Sequence, residues 1–168
     1  MVALNVGGTQ MVNIVATGVS AELLDVLESQ GLPVKRTLDV DIMPFPADIT
    51  AVNDQELMEM ARSYMENYNF LLTQVACAEL AVTESENSYD TEAAKMLVRM
   101  SGDPKAKATT IKAVIMTDPA MSKRSDDLMK AKAYFKLLKT MMDNLERYYQ
   151  LTSRELTRRT SVLKARGY

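Results

Sequence analysis

Histidine and tryptophan are absent from this 168-residue chain, and there is one cysteine. Without an imidazole and with a single thiol, the sequence excludes His-based acid/base catalysis, Ser-His and Cys-His nucleophilic chemistry, a Cys/His zinc site and an internal disulfide framework. No uninterrupted apolar run approaches the length of about eighteen residues that a membrane span requires. The first residues also lack the charged-then-apolar pattern of a secretory signal, so a cytosolic protein with no membrane partner is expected. Glycine and proline are scarce, six and five in all, and neither occurs between Asp54 and Ser101. What is present is 47% apolar and 25% charged residues, the balance of one folded domain and not of a disordered tail.

The net charge of −2 conceals an asymmetry. Residues 1–94 hold three basic groups, Lys35, Arg36 and Arg62, against fifteen acidic ones, a net of −12. Residues 95–168 hold seventeen basic and seven acidic groups, a net of +10. Such a sequence fits a polyanion-binding surface on the C-terminal half, or pairing of acidic with basic surfaces between subunits. It also fits two halves that neutralise one another as antiparallel helices, and these readings are not exclusive.

Residues 1–50 mix β-branched residues with Gly7-Gly8, Gly18, Pro33, Pro44 and Pro46, the signature of an extended arm. Within it a short helix is expected over Ala21–Gln30, with Ser20 as N-cap and Gly31 as terminator. The interval Asp54–Ser101 predicts one long helix capped by Asn53 or Asp54. Leu57, Ala61, Tyr64, Tyr68, Leu71, Val75, Ala78 and Val82 alternate four and three apart, the seam of a coiled coil. That pattern weakens at Ser85 and recovers through Tyr89, Ala93, Met96 and Met100, which predicts a break or stutter near Thr83–Asp90. Ser101-Gly102-Asp103-Pro104 closes the helix, a short helical stretch covers Lys105–Met116, and Thr117-Asp118-Pro119 opens a third helix reaching Lys164.

The third helix repeats the seam at Leu128, Ala131, Phe135, Leu138, Met142, Leu145, Tyr149, Thr152 and Leu156, with Leu163 one heptad beyond. Two long helices joined by a compact connection imply an antiparallel hairpin, so the fold class is mainly α: a long coiled-coil-like helical hairpin over residues 51–168, with the arm of residues 1–50 available to contact a neighbouring subunit. Thirteen methionines and few leucines mark an adaptable interface, and a seam this long predicts self-association. Phe135, Leu138, Met142, Leu145, Tyr149 and Leu156 are the candidate oligomerisation residues.

Chemistry-bearing motifs are few. Cys77 sits among apolar neighbours and reads as core. Glu56, Glu59 and Glu66, like Asp126-Asp127, read as solvated helix faces. Gly7-Gly8 is followed by neither the lysine and Ser/Thr of a phosphate loop nor a GxGxxG run. No catalytic residue, metal ligand or cofactor is expected, and the protein reads as non-enzymatic. The basic residues say more. Lys105, Lys107 and Lys112 cluster between the long helices, Lys123 and Arg124 follow near the start of the last one, and Lys130, Lys132, Lys136 and Lys139 continue along it. Arg147, Arg154, Arg158, Arg159, Lys164 and Arg166 finish the chain among Tyr148, Tyr149 and Tyr168. Cations interleaved with aromatic rings suit single-stranded nucleic acid, whose phosphates pair with the former and whose bases stack on the latter. Arg154, Arg158 and Arg159 are accordingly candidate contacts.

The run KATTIKAVIMTDPAMSKRSDDLMKAKAYFKLLKTMMDNLERYYQLTSRELTRR resembles the C-terminal half of the UvsY-type recombination mediators of phages. The resemblance rests on a lysine-bearing short helix leading to an Asp-centred turn (Lys112 to Asp118), an aromatic pair (Tyr134-Phe135), a leucine stretch (Leu137-Leu138 and Leu145), and a terminal Thr152-Ser153-Arg154 followed by Arg158 and Arg159. It implies a helical homo-oligomer without enzymatic activity that binds single-stranded DNA. It further implies a role in loading a RecA-like recombinase onto strands covered by single-strand-binding protein, in the cytoplasm of a phage-infected bacterium. By the same resemblance Lys105, Lys107, Lys112, Lys123 and Arg124 contact DNA and the Leu145–Leu156 seam serves assembly. The alternative is a virion structural or assembly protein in which the arm lies on a neighbour.

Overall fold

The computed structural model describes residues 12–13, 15–16, 18–32, 34–38, 41–101 and 108–165. Gly7-Gly8, Pro33, the Gly102-Asp103-Pro104 turn, Lys105, Lys107, Arg166 and Tyr168 lie outside the described residues. Two long helices dominate: α2 (Asp54–Ser101, 48 residues) and α4 (Pro119–Ala165, 47 residues), joined through α3 (Ala108–Thr117). At 1.5 Å per residue each is about 70 Å long. Asn53 starts α2, its Oδ1 accepting from the Glu56 N–H at 2.9 Å. Asp118 starts α4, its Oδ1 accepting from the N–H groups of Ala120 and Met121 at 2.9 and 3.0 Å, with Pro119 at the first helical position.

The two helices run antiparallel as a hairpin, which Asp54–Arg159 at one end and Glu86–Lys132 further along register. The predicted seams meet between them: Leu57, Tyr64, Leu71, Val75 and Ala78 of α2 and Leu138, Leu145 and Thr152 of α4 are buried, while Leu163 lies past the contact and is exposed. The expected break near Thr83–Asp90 is absent, since α2 is continuous there. What changes at that level is the depth of burial: the seam residues Val82, Leu128 and Ala131 are half-buried, and polar pairs flank them, as in Lys132–Glu86 at 2.7 Å and the Arg124 contact with Ser88. Backbone hydrogen bonding carries the helix through a stretch whose side chains supply no core.

A second stripe of α2, Met60, Ser63, Asn67, Phe70, Gln74 and Cys77, is also buried at spacings of three and four. The N-terminal segment covers it, running back along α2 from the 3₁₀ turn Ile49–Ala51. Ser63 Oγ donates to the Asp41 carbonyl (2.8 Å) and accepts from the Met43 N–H (3.3 Å). Gln74 Oε1 accepts from the Val15 N–H at 3.4 Å. Phe45 inserts beside both helices, stacked on Tyr148 at 4.7 Å and 6.4 Å from the Tyr64 ring. A two-residue antiparallel ladder ties β1 (Val12–Asn13) to β2 (Thr37–Leu38).

The short helix is α1 (Val19–Ser29), and its start differs from expectation. Ser20 is buried inside the first turn, its hydroxyl in contact with the Cys77 thiol, and is not the cap residue. The cap position is Gly18, with φ of 54°, and the Val19 N–H donates to Glu84 Oε1 of α2 at 3.0 Å. A carboxylate from a neighbouring helix therefore satisfies the end that a local serine was expected to satisfy. A Cβ at Gly18 would stand 3.0 Å from that oxygen. Gly31, at φ of 76°, ends α1 as expected: its N–H bonds the Glu28 carbonyl and the Leu32 N–H the Leu27 carbonyl, a Schellman pair.

Candidate nucleic-acid interface

The side of α4 turned away from α2 is divided by helical period. Lys132, Lys136, Lys139, Arg147 and Arg154 fall on one flank, interrupted by Asp143 and Glu146, whereas Tyr134, Leu137 and Met141 fall on the other. Lys123, Lys136, Lys139, Arg147, Arg154 and Lys164 are exposed and have no carboxylate partner among the described residues. From Lys123 to Lys164 they span about 60 Å of helix at 1.5 Å per residue. Next to the basic flank, Met65, Tyr68, Glu146, Tyr149 and Gln150 line a groove of about 210 Å³ between the helices. Gln150 Nε2 donates to Glu146 Oε1 across its rim at 3.0 Å. Tyr149 thus offers part of its ring beside cations, while Tyr148 is taken up in the stack with Phe45.

The predicted contact residues separate into three groups. Lys123 and Arg154 are exposed cations as expected. Arg158 is bound to Glu155 at 2.7 Å yet keeps a largely exposed side chain, and Arg124 faces Ser88 with Glu92 at 4.0 Å. Arg159 is the exception, and the structure gives it a different task. Its guanidinium donates to Glu155 (2.8 Å), to Asp54 (2.6 Å) and to the carbonyls of Ile49, Thr50 and Val52 at 3.3, 3.0 and 2.7 Å. All of its donor nitrogens are occupied, so it is a clasp between α4 and the base of the N-terminal segment. Arg158 and Arg159 together hold the Glu155 carboxyl down at about 2. Lys105 and Lys107 lie outside the described residues; Lys112 belongs to α3, and its side chain is not described.

The six residues expected to serve assembly sit in the hairpin's own seam. Leu138 and Leu145 are buried there, and Phe135, Met142 and Tyr149 pack against the same core, with Leu156 half-buried further along. Their contacts are used within one chain. The seam was legible as a seam; its partner is α2 of the same molecule. The apolar side chains that α4 leaves outside are a different set, which includes Tyr134, Leu137 and Met141 at a spacing of three and four that was visible in the sequence.

Cys77 is buried, and burial raises its thiol above the ordinary range. Among the described residues no cluster of three or more His, Cys, Asp or Glu could hold a metal, and no helix is long and apolar enough to cross a membrane. No family model matches the chain, and neither a curated protein nor a solved structure is detectably similar to it.

Proposed function

We propose that this is a non-enzymatic, self-associating protein that binds single-stranded DNA through the basic flank of α4. In this reading it assists loading of a RecA-like recombinase onto strands covered by single-strand-binding protein during phage infection. The observation that carries the DNA half is the set of exposed cations on α4 without carboxylate partners among the described residues, although the chain as a whole has more acids than bases. Internal pairs consume Arg159 and engage Lys132 and Arg124; the flank at Lys136, Lys139, Arg147 and Arg154 remains for a polyanion. Tyr149 and Tyr68 in the adjacent groove supply rings at the edge of that track. The loading role rests on the resemblance of the C-terminal half to UvsY-type mediators.

Binding of a labelled oligothymidylate tests this. Affinity is expected to fall steeply with salt, and Lys136→Gln, Arg147→Gln and Arg154→Gln together should lower the slope of log K against log salt by about two, at roughly 0.7 per phosphate contact on a single strand. Absence of binding at low ionic strength removes the DNA reading. Persistence of a large assembly in that case favours the virion alternative. The loading role is measured by recombinase ATPase activity on strands already coated with single-strand-binding protein, where addition of this protein is expected to shorten the lag.

A further inference from the structure

The groove between α2 and α4 at Tyr68 and Tyr149 has two unlike lips. On α4 its rim residue Gln150 has Arg147 three residues before it and Arg154 four after, the spacings that make neighbours on a helix surface. Both guanidinium groups are exposed and have no carboxylate partner among the described residues. On α2 the flank that contributes Met65 and Tyr68 continues by helical period with Asn69, Leu72 and Ala76 and carries no charge over that stretch; Leu72 is 48% exposed. Cations therefore stand along one side and neutral, largely apolar surface along the other. Between them lie the rings of Tyr68 and Tyr149, both half-buried, so that part of each stays accessible. This division matches a single nucleotide strand, which carries its charge on one edge and its bases on the other, whereas an acidic peptide or a lipid headgroup would use the cationic lip alone. The volume of about 210 Å³ is below the roughly 300 Å³ at which pockets for drug-sized ligands begin, and suits one flat heterocycle.

Glu146 is out of place in a bare phosphate track. It lines the groove, and its Oε1 accepts from Gln150 Nε2 at 3.0 Å instead of from a cation. Asp143 also interrupts the basic flank but is not among the residues that line the groove. A carboxylate at the rim repels phosphate and suits a base edge that presents donors. Guanine alone among the four bases offers two adjacent N–H donors, at N1 and N2 of its Watson–Crick edge, to match the two oxygens of a carboxylate, and its O6 beside them accepts from the second N–H of the Gln150 amide. Cytosine and adenine offer one amino group next to a ring-nitrogen acceptor. Thymine offers one N–H between two carbonyls, whose lone pairs face the carboxylate. We infer that this groove is a nucleobase site selective for guanine: a base of a bound single strand enters beside Tyr68 and Tyr149, its N1–H and N2–H donate to the Glu146 carboxylate, and Arg147 and Arg154, about 10 Å apart along the helix, hold the phosphates on either side. The inference rests on the single-strand reading of the α4 flank and adds base selectivity to it.

Competition binding on the full chain tests it. A labelled oligothymidylate of about twelve nucleotides is displaced by unlabelled strands of the same length in which the central thymine is kept or replaced by guanine, cytosine or adenine. A single guanine per strand keeps the competitors unpaired. The guanine strand is expected to compete at least fivefold better than the all-thymine strand, roughly the lower end of what one bidentate base contact discriminates. Glu146→Gln then separates base reading from charge, and because Glu146 is exposed the exchange leaves the core untouched. A carboxylate that acts through its charge alone would, once removed, strengthen binding of every strand alike; here the guanine preference is expected to disappear while all-thymine binding holds or tightens. Tyr149→Leu keeps an apolar side chain in the seam and removes the ring, and is expected to weaken every strand about fivefold or more, with circular dichroism as the control for folding. Equal affinity for the four strands, a ranking led by another base, or a guanine preference that survives Glu146→Gln overturns the inference, while salt-dependent oligothymidylate binding keeps the DNA reading. No binding of any strand at low ionic strength overturns both.

Discussion

The two halves of the hairpin are built from the same two helices and differ in what lies on them. At the base, Asp54–Glu84 of α2 is covered on one side by α4 and on another by the N-terminal segment, and nearly all of the buried apolar residues are here, from Leu57 to Ala78 and at Leu138 and Leu145. At the distal end the core consists of Ile115 and Met121, flanked by half-buried Tyr89, Ala93, Met96 and Met100. Between them the seam residues Val82, Leu128 and Ala131 are only half-buried, and Glu86 and Ser88 meet Lys132 and Arg124 at the flanks. Helix length is therefore a poor guide to stability in this protein; the number of layers sets it. The distal end is therefore expected to open at a lower free energy than the base unfolds, and it bears α3, to which Lys112 belongs.

The sharpest break of this comparison comes from one buried residue in each half. Leu145→Ala, at 3% exposure in the base, is expected to cost about 2–5 kcal/mol of global stability by urea unfolding. Met121→Ala, at 1% exposure, should leave the global midpoint nearly unchanged and instead speed amide exchange in α3 and the start of α4. Equal shifts in the urea midpoint would mean the halves unfold as one unit.

The clasp gives the next effect. Arg159→Met leaves three carbonyls and the Asp54 carboxylate without this donor and Glu155 with Arg158 alone, and limited proteolysis is expected to cut residues 41–52 faster while α2 and α4 stay helical. The same site sets an acid limit. The folded state holds Glu155 at about 2, below its ordinary 4.5, so the stability it contributes is complete above about pH 4.5 and is lost as pH falls through about 2. Glu155→Gln should flatten that part of the acid unfolding curve.

The smallest effect sharpens the comparison at the base. The Tyr64 hydroxyl is buried without a hydrogen-bond partner among the described residues, beside Phe45 and Tyr148, and burial pushes its phenol up to about 12. Tyr64→Phe is expected to stabilise the protein by about 1 kcal/mol at neutral pH, since it removes an unsatisfied buried group. Its advantage should grow between about pH 10 and 12, where the wild type loses stability because only the unfolded phenol ionises freely.

Much of this architecture was legible in the sequence because helical period and breakers act locally. The glycine-free interval gave α2 its observed ends, Thr117-Asp118-Pro119 opened α4, and the heptads of both helices meet as read. Three features were not legible, each because a distant residue decides it. Ser20 lost the cap to Glu84, sixty-four residues away. The second stripe of α2 contains the polar residues Ser63, Asn67 and Gln74, so it carries no apolar period, and its burial follows from the N-terminal segment, whose Asp41, Met43 and Val15 backbone groups bond Ser63 and Gln74. Arg159 had the sequence context of a nucleic-acid contact, and only the fold supplies the carbonyls at Ile49–Val52 that absorb it. The candidate cations on the outer flank of α4 were legible, since exposed charge requires no partner to be recognised.

The clasp at Arg159 also orders events during synthesis. The carbonyls of Ile49, Thr50 and Val52 leave the ribosome more than a hundred residues before the guanidinium that binds them. The N-terminal segment, with its apolar α1, therefore waits through the translation of both long helices before its base is secured. At about 5–20 residues per second that interval lasts many seconds, during which the nascent chain presents an unfinished apolar surface to chaperones and to neighbouring chains on the same messenger.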